Sequence, residues 1–100
     1  MKIPKELKVG KRTVVVKEQK VVKINKQECR GAFHLKEAVI RVSRENLNGY
    51  KYTPAERSET FWHELTHAIL YDMDNRLAYN EKFVISFSKR LDQAIRSAKF

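Results

Sequence analysis

A well-signalled helix start lies near the middle of the chain and divides the sequence into two halves. Thr53 can cap the helix, Pro54 suits its first position, and Glu56 at the third position completes a capping box. From there apolar side chains recur at helical spacing and predict one buried stripe. The stripe consists of Phe61, Trp62, Leu65, Ala68 and Ile69. The spacing predicts a helix that continues to about Tyr71 or Met73.

The half of the sequence before this helix is typical of β-strands. β-branched runs at 13–16 and 21–24 are separated by a charged stretch that resembles a turn. Two further apolar runs, at 32–35 and 38–42, follow a glycine and are separated by two charged residues. Their spacing predicts a β-hairpin, although its turn lacks the Asn-Gly chemistry of the tightest hairpins.

A second helix is expected at the end of the chain, where Asn80 can provide the cap. The apolar residues that follow share one helical face: Val84, Phe87, Leu91, Ala94, Ile95 and Ala98. Strands followed by helices indicate an α+β fold. We therefore predict a single domain over residues 1–100, with a small antiparallel β-sheet followed by the helix at Pro54 and a C-terminal helix.

The charge of the chain is strongly positive. Twenty-one Lys and Arg against 12 Asp and Glu give a formal charge of +9. Such an excess suits a nucleic acid or an acidic partner. The lysines are scattered through the first third of the chain, however, and aromatic platforms for stacking bases are missing. A solvated basic surface is the favoured interpretation, and a nucleic-acid partner is the less favoured one.

The pattern of apolar residues and the cysteine content indicate the compartment. The apolar runs are too short to span a bilayer, and the basic N-terminal stretch is not followed by the apolar segment of a secretory signal. The single cysteine, Cys29, cannot form an internal disulfide, which favours a reducing compartment. We therefore expect a cytoplasmic protein without a membrane partner.

The sequence HELTH at 63–67 lies on the first predicted helix and has the residues that could bind a metal ion and catalyse a reaction. Residues four apart on a helix share a face, so the imidazoles of His63 and His67 can reach one metal ion. Glu64 borders that face and can bind the metal's water without ligating the metal. The pattern predicts a Zn²⁺ site and hydrolysis with Glu64 as general base. The alternative is two polar-face histidines of no special role, which is also the expectation for His34, alone on a strand.

A resemblance can be named from these residues. The stretch TFWHELTHAIL at 60–70, followed by NEKFV at 80–84, resembles the minimal gluzincins of phage and bacterial genomes. These zinc metallopeptidases are akin to the ImmA/IrrE-like metallopeptidases. If a phage encodes the chain, the expected compartment is the host cytoplasm. The resemblance is specific over about residues 38–95 and only schematic before that.

The resemblance implies a zincin-like fold, a peptidase activity and a set of site residues. It implies that His63, His67 and Glu81 are the zinc ligands and that Glu64 is the base, since the family's second helix begins with a pattern like N-E-x-x-V whose glutamate binds zinc. It also implies that the strand at 38–42 is an edge strand that lines the substrate cleft.

The residues themselves leave the third ligand open. Asp72 and Asp74 lie near the end of the first helix and would have to curl back to reach the metal. Asp92 lies on the same face as Glu81, about three turns further along the last helix, so helix geometry alone does not choose between these two. The alternative role of Glu81 is that of a first-turn acid interacting favourably with the helix dipole.

Three functions follow as hypotheses. The first is a zinc-dependent peptidase acting on a protein or peptide substrate. The second is a basic binding module of zincin fold that holds nucleic acid or an acidic protein with little or no proteolysis. The third is a host-takeover or regulatory protein whose activity is confined to one partner, such as a repressor. The presence of Glu64 favours the first, because a structural zinc site gains nothing from a neighbouring base. Larger zincins stabilise the oxyanion with a Tyr or His, for which Tyr71, Tyr79 and His34 are candidates.

Overall fold

A computed structural model describes residues 2–100 and has six strands and two long helices in that range. The strands are β1 (Glu6–Val9), β2 (Arg12–Gln19), β3 (Val22–Ile24), β4 (Gln27–Cys29), β5 (Gly31–His34) and β6 (Val39–Ser43). The helices are α1 (Pro54–Asp72) and α2 (Glu81–Ser97), and a one-turn 3₁₀ helix, Arg76–Tyr79, lies between them. The predicted α+β class is confirmed. Within the described residues, neither helix combines the length and apolar character needed to cross a membrane.

The main sheet is mixed, so the prediction of an antiparallel sheet was wrong in part. Its four strands lie in the order β1-β2-β6-β5. The β1–β2 and β5–β6 pairs are antiparallel, as the predicted hairpin requires, but β2 and β6 are parallel. A parallel pair needs a crossover of a dozen or more residues. The separate two-stranded sheet β3–β4 and then β5 supply that connection.

The strand predicted to be an edge strand, at 38–42, lies in the interior of the sheet. β6 has β2 on one side and β5 on the other. Val39, Ile40 and Val42 are all buried, and burial on both faces is typical of a central strand. The edge beside the helices is formed by β5 instead. The expectation of a substrate edge at 38–42 is therefore wrong.

Pairing between distant segments also sets the extent of the early strands. β2 continues to Gln19, through residues predicted to form a turn, because Lys17–Gln19 pair with residues 41–43 of β6. The run predicted at 21–24 forms β3, which turns into β4 through Asn25 and Lys26, both with positive φ. Two consecutive residues of positive φ give a tight two-residue hairpin turn.

The N-terminus of α1 matches the sequence prediction, and the predicted buried stripe is confirmed in part. Phe61, Leu65 and Ala68 are buried, whereas Trp62 is half-buried and Ile69 is 39% exposed. Thr53 accepts a hydrogen bond from the Glu56 N–H, and the Glu56 side chain accepts one from the Thr53 N–H. The main core joins one face of the sheet to the buried side of α1. Its members include Val14, Val16, Ile40, Val42, Phe61, Leu65 and Ala68.

The buried face of α2 differs from the one that its apolar pattern predicts. The buried residues of α2 are Val84, Ser88 and Asp92, whereas Phe87 and Ile95 of the predicted stripe are exposed. Val84 belongs to a small second core with Leu70 and Ala78. The helix therefore faces α1 with small and polar side chains and turns much of its apolar stripe outward.

Candidate metal centre

The capping box at the start of α1 fixes the helix that carries the HELTH sequence. His63 and His67 lie one turn apart on this helix, with ring centroids 5.1 Å apart. Their side chains are mostly buried, with exposed fractions of 23% and 13%. Both rings thus project from one face of α1 into the space between α1 and the start of α2.

The start of α2 brings Glu81 to this face. Asn80 caps α2 by accepting a hydrogen bond from the Phe83 N–H at 3.0 Å. Glu81 follows as the first helical residue, and the 3₁₀ turn before it keeps the connection from α1 short. As a result, the Glu81 carboxylate lies 3.3 Å from His63 Nε2 and 2.6 Å from His67 Nε2.

The tautomer of His67 is set by a backbone carbonyl. His67 Nδ1 lies 2.9 Å from the Ala78 carbonyl oxygen. Because a carbonyl oxygen only accepts hydrogen bonds, Nδ1 carries a proton. In a neutral imidazole, Nε2 then presents a lone pair, and this lone pair faces a carboxylate oxygen of Glu81. Two acceptors at this distance require a proton or a metal cation between them.

The three side chains fit a zinc ion by chemistry and by spacing. One ligand atom from each of His63, His67 and Glu81 lies within 4.8 Å of the others. Imidazole nitrogens and carboxylate oxygens are ordinary zinc ligands, at about 2.0–2.2 Å from the metal. The hydrogen bond from His67 Nδ1 to a carbonyl is also the usual way in which a metal-binding histidine is oriented. Burial lowers the pKa of His63, which favours the neutral ring that a metal requires.

Glu64 lies beside this group but does not belong to it. Its side chain is buried, and burial, followed by the charge of Glu81, raises its pKa to about 8. A carboxyl group poised near neutral pH can both accept and donate a proton. A nearby divalent cation would lower this pKa, because positive charge favours the carboxylate.

The backbone of β5 passes close to α1 beside Glu64. A Cβ atom at Gly31 would lie 2.5 Å from Thr60 Cγ2 and 3.3 Å from Glu64 Cγ. Only glycine lets the strand pass this close to the helix. Gly31 therefore brings the backbone of β5 next to the group formed by His63 and Glu64.

Two cavities meet at the candidate ligands. One, of about 440 Å³, has Arg30, Glu59 and Lys89 on its walls together with His63 and Glu64. The other, of about 290 Å³, has β5 on one side and His63, His67 and Glu81 on the other. Both share Gly31, His63 and Glu64, so they form one cleft along β5.

The backbone of β5 has outward hydrogen-bonding groups at the edge of the main sheet. The Arg30 carbonyl accepts a hydrogen bond from the Ser43 N–H at 2.8 Å. Since bonded residues alternate in an antiparallel ladder, Ala32 pairs with β6, whereas the N–H and C=O groups of Gly31 and Phe33 point away from it. This edge can pair with an extended peptide.

The three candidates for stabilising an oxyanion lie in different surroundings. Tyr71 lies one turn beyond His67, stacks on its ring at 6.2 Å between centroids, and lines the cavity of the candidate ligands. Burial and the charges of Tyr79, Glu81 and Glu64 raise the Tyr71 pKa, which keeps its hydroxyl a hydrogen-bond donor. Tyr79 is largely exposed, and His34 lies at the far end of β5. Tyr71 is the best placed of the three.

The alternative carboxylates have other partners or other positions. Asp92 accepts a hydrogen bond from the Ser58 hydroxyl at 2.9 Å and pairs with Arg96. The Asp72 carboxylate lies against Gly10 in the β1–β2 turn. Asp74 follows the end of α1 and has a positive φ. None of these three belongs to the group of ligand atoms formed by the two histidines and Glu81.

Sequence reasoning missed the cleft-wall residues Arg30, Gly31 and Lys89. A glycine at the start of a strand was the only local signal among them, because glycine in a strand often marks a close approach. Comparisons of the chain with models of protein families, with curated proteins and with solved structures find no match. The resemblance to the gluzincins therefore stays a prediction that rests on the residues of α1 and on the start of α2.

Proposed function

We propose that the chain is a zinc-dependent peptidase of the gluzincin type with a zincin-like fold, in which His63, His67 and Glu81 hold zinc and Glu64 is the general base. The observation that carries this proposal is the meeting of three ligand atoms within 4.8 Å and a buried neighbouring carboxylate in one cleft. Structural zinc sites are closed by four protein ligands, whereas a catalytic site keeps one position open. Three ligands beside a cavity match the catalytic kind.

The proposed reaction assigns Glu64 two proton transfers. When bound, zinc supplies a Lewis acid that lowers the pKa of a water molecule towards neutrality. The Glu64 carboxylate accepts a proton from the water as its oxygen attacks the peptide carbonyl carbon. Glu64 then gives this proton to the departing amine as the C–N bond breaks. The products are a carboxylic acid and an amine, and Glu64 is ionised again.

The proposed substrate is a protein segment in extended conformation, paired with β5. The outward N–H and C=O groups of Gly31 and Phe33 would bind its main chain by strand addition. The cleft continues on both sides of His63, from Lys89 at one end to Tyr71 at the other. An internal peptide bond can therefore lie at the candidate ligands, which favours an endopeptidase. A cytoplasmic location remains part of this proposal, based on the single Cys29.

The test combines metal content with cleavage of an unfolded protein substrate. Wild-type protein from zinc-supplemented expression should contain one zinc per chain and cleave the substrate. Glu64→Gln should keep the zinc and lose about 10²–10⁴-fold in rate, because a base is removed and no ligand is touched. Glu59→Gln is the matched control, since Glu59 lines the same cleft on the same helix without a proposed proton role.

Other outcomes count against the peptidase. Wild-type protein without zinc would contradict the metal centre, and an unchanged rate in Glu64→Gln would remove Glu64 as the base. Zinc-loaded protein that cleaves nothing but retains DNA in a salt-dependent way would support the basic binding module suggested by the charge of +9.

A further inference from the structure

The outward side of α2 carries an apolar surface, which we call the α2 stripe: Phe83, Phe87, Leu91 and Ile95. Phe87 is 47% exposed and Ile95 is 40% exposed, while Phe83 and Leu91 are half-buried. The rings of Phe83 and Phe87 stack with centroids 5.7 Å apart. Large apolar side chains that are grouped on one exposed surface mark an interaction site rather than ordinary scatter.

The helix exposes this stripe because a different face packs on α1. The buried residues Ser88 and Asp92 each follow a residue of the stripe by one position. One position on an α-helix is a rotation of about 100°. Phe87, Leu91 and Ile95 are therefore turned away from α1, although the stripe has the stronger apolar pattern of the two faces. Phe83, at the start of the stripe, also packs against the second core with Leu70 and Ala78.

Outside the candidate metal site, the charged residues that α2 exposes are all basic. Basic side chains occur along the helix and just beyond it, at Lys82, Lys89, Arg90, Arg96 and Lys99. The two acidic residues of α2 are already engaged, since Glu81 faces the histidines and the Asp92 carboxylate is buried against Ser58 and Arg96. No exposed acid on α2 outside the candidate site is left to oppose this positive charge.

We propose that the α2 stripe, with Arg90 beside it and the other basic residues on the remaining surface of α2, forms a docking face for an anionic lipid surface, with α2 lying in the plane of the headgroups. A helix with an apolar stripe containing Phe and Leu, and with Lys and Arg on its remaining surface, has the composition of such interfacial helices. Each Lys or Arg near an anionic bilayer contributes about fivefold in affinity. The chain's net charge of +9 adds attraction at longer range.

The charge of this face favours lipid over a second copy of the chain. Two copies paired through this face would bring basic residues together without acidic partners, and like charges at an interface are unfavourable.

This docking would leave the candidate metal centre accessible. Ile85 and Lys89, which line the cleft, lie on another side of α2 from Phe87 and Leu91. The proposal therefore does not depend on zinc or on peptidase activity.

The test measures cosedimentation of the whole chain with vesicles of phosphatidylcholine, alone or mixed with phosphatidylglycerol. The protein should bind the mixed vesicles, and salt should weaken the binding. Phe87→Ser and Arg90→Glu should each reduce the partition coefficient by about tenfold or more. Val15→Ser and Lys17→Glu are matched controls on the sheet face away from α1 and should stay within about twofold of wild type, because neither lies on α2.

Circular dichroism confirms that each variant is folded, and Ile95→Ser replaces Phe87→Ser if the latter is not. Absence of binding to the mixed vesicles would overturn the proposal. So would a loss in Lys17→Glu as large as in Arg90→Glu, because binding would then follow net charge alone. Sedimentation equilibrium showing a dimer that Phe87→Ser dissociates, without vesicle binding, would assign the face to a second copy.

Discussion

Glu81 and Asp92 lie about three turns apart on α2, and both meet side chains of α1, but their surroundings differ in kind. Asp92 is 1% exposed. It accepts hydrogen bonds from the Ser58 hydroxyl at 2.9 Å and from Arg96 Nε at 3.0 Å. Glu81 is 62% exposed and meets two imidazole nitrogens instead.

The two carboxylates show how the neighbours of an acid indicate its role. Every neighbour of Asp92 named above is a hydrogen-bond donor, so its charge is compensated within the protein. The neighbours of Glu81 include His67 Nε2, whose lone pair faces the carboxylate once Nδ1 is bonded to the Ala78 carbonyl. A carboxylate that faces lone pairs needs a cation or a proton. The contrast supports Glu81 as a metal ligand and Asp92 as a structural residue.

The largest expected effect is on zinc affinity. Glu81→Ala removes one of three proposed ligands and should weaken zinc binding by more than a hundredfold, beyond the 10–100-fold typical of residues that merely orient a ligand. Asp92→Ala, measured at a temperature where it is folded, should bind zinc like wild type. Competition with a chromophoric chelator measures both affinities.

The reverse outcome for these two variants would contradict the assignment of Glu81 as a metal ligand and Asp92 as a structural residue. If Asp92→Ala lost zinc and Glu81→Ala kept it, the ligand would be Asp92 and the resemblance to the gluzincins would lose its main support. Circular dichroism of Glu81→Ala should show a helix content close to that of wild type, because Glu81 is exposed and lies in the first turn of α2.

The next effect in size is on stability. In the presence of a chelator, Asp92→Ala should lower the free energy of unfolding by about 2–4 kcal/mol, because it leaves the buried Ser58 hydroxyl without its acceptor and breaks a tie between α1 and α2. Glu81→Ala is the matched control and should change stability by less than about 1 kcal/mol, as expected for a largely exposed ion pair. Urea unfolding measures both; equal losses would show that burial does not distinguish the two acids.

Local patterns predicted the helices and two of the candidate ligands. The cap at Thr53 and the spacing of apolar residues in α1 depend on neighbours along the chain, and so does the placement of His63 and His67 on one face. The choice between Glu81 and Asp92 depended on how α2 packs on α1. Only the tertiary structure shows that Ser58 and Arg96 already satisfy Asp92.

The strand order and the buried face of α2 could not be predicted from local sequence patterns. β6 became an interior strand because β2 pairs with the side that β5 leaves free, and the β2–β6 pairs join residues more than 20 positions apart. On α2, the apolar pattern predicted a buried Phe87, but Ser88 and Asp92 face α1 instead. Binary patterning identifies the most apolar face of a helix, and this face need not be the one that meets a neighbouring helix.

The smallest expected effect concerns Glu64, a third carboxylate, which is buried like Asp92 but lies near the negative charge of Glu81. Its pKa is about 8 in the folded chain against an ordinary value of 4.5, so between these values the folded chain holds a proton that the unfolded chain has released. In chelator-treated protein, stability should therefore fall as pH rises towards 8, by at most about 1.4 kcal/mol per pH unit. His63 acts in the opposite direction, since its lowered pKa makes stability rise with pH, but chiefly below its ordinary value of 6.5. The window from pH 6.5 to 8 thus reports mainly on Glu64.

Glu64→Gln cannot ionise and should flatten the profile of stability against pH between pH 6.5 and 8, whereas Glu59→Gln should retain the wild-type slope. Identical slopes in wild type and Glu64→Gln, measured by urea unfolding, would show that Glu64 is already ionised in the folded chain.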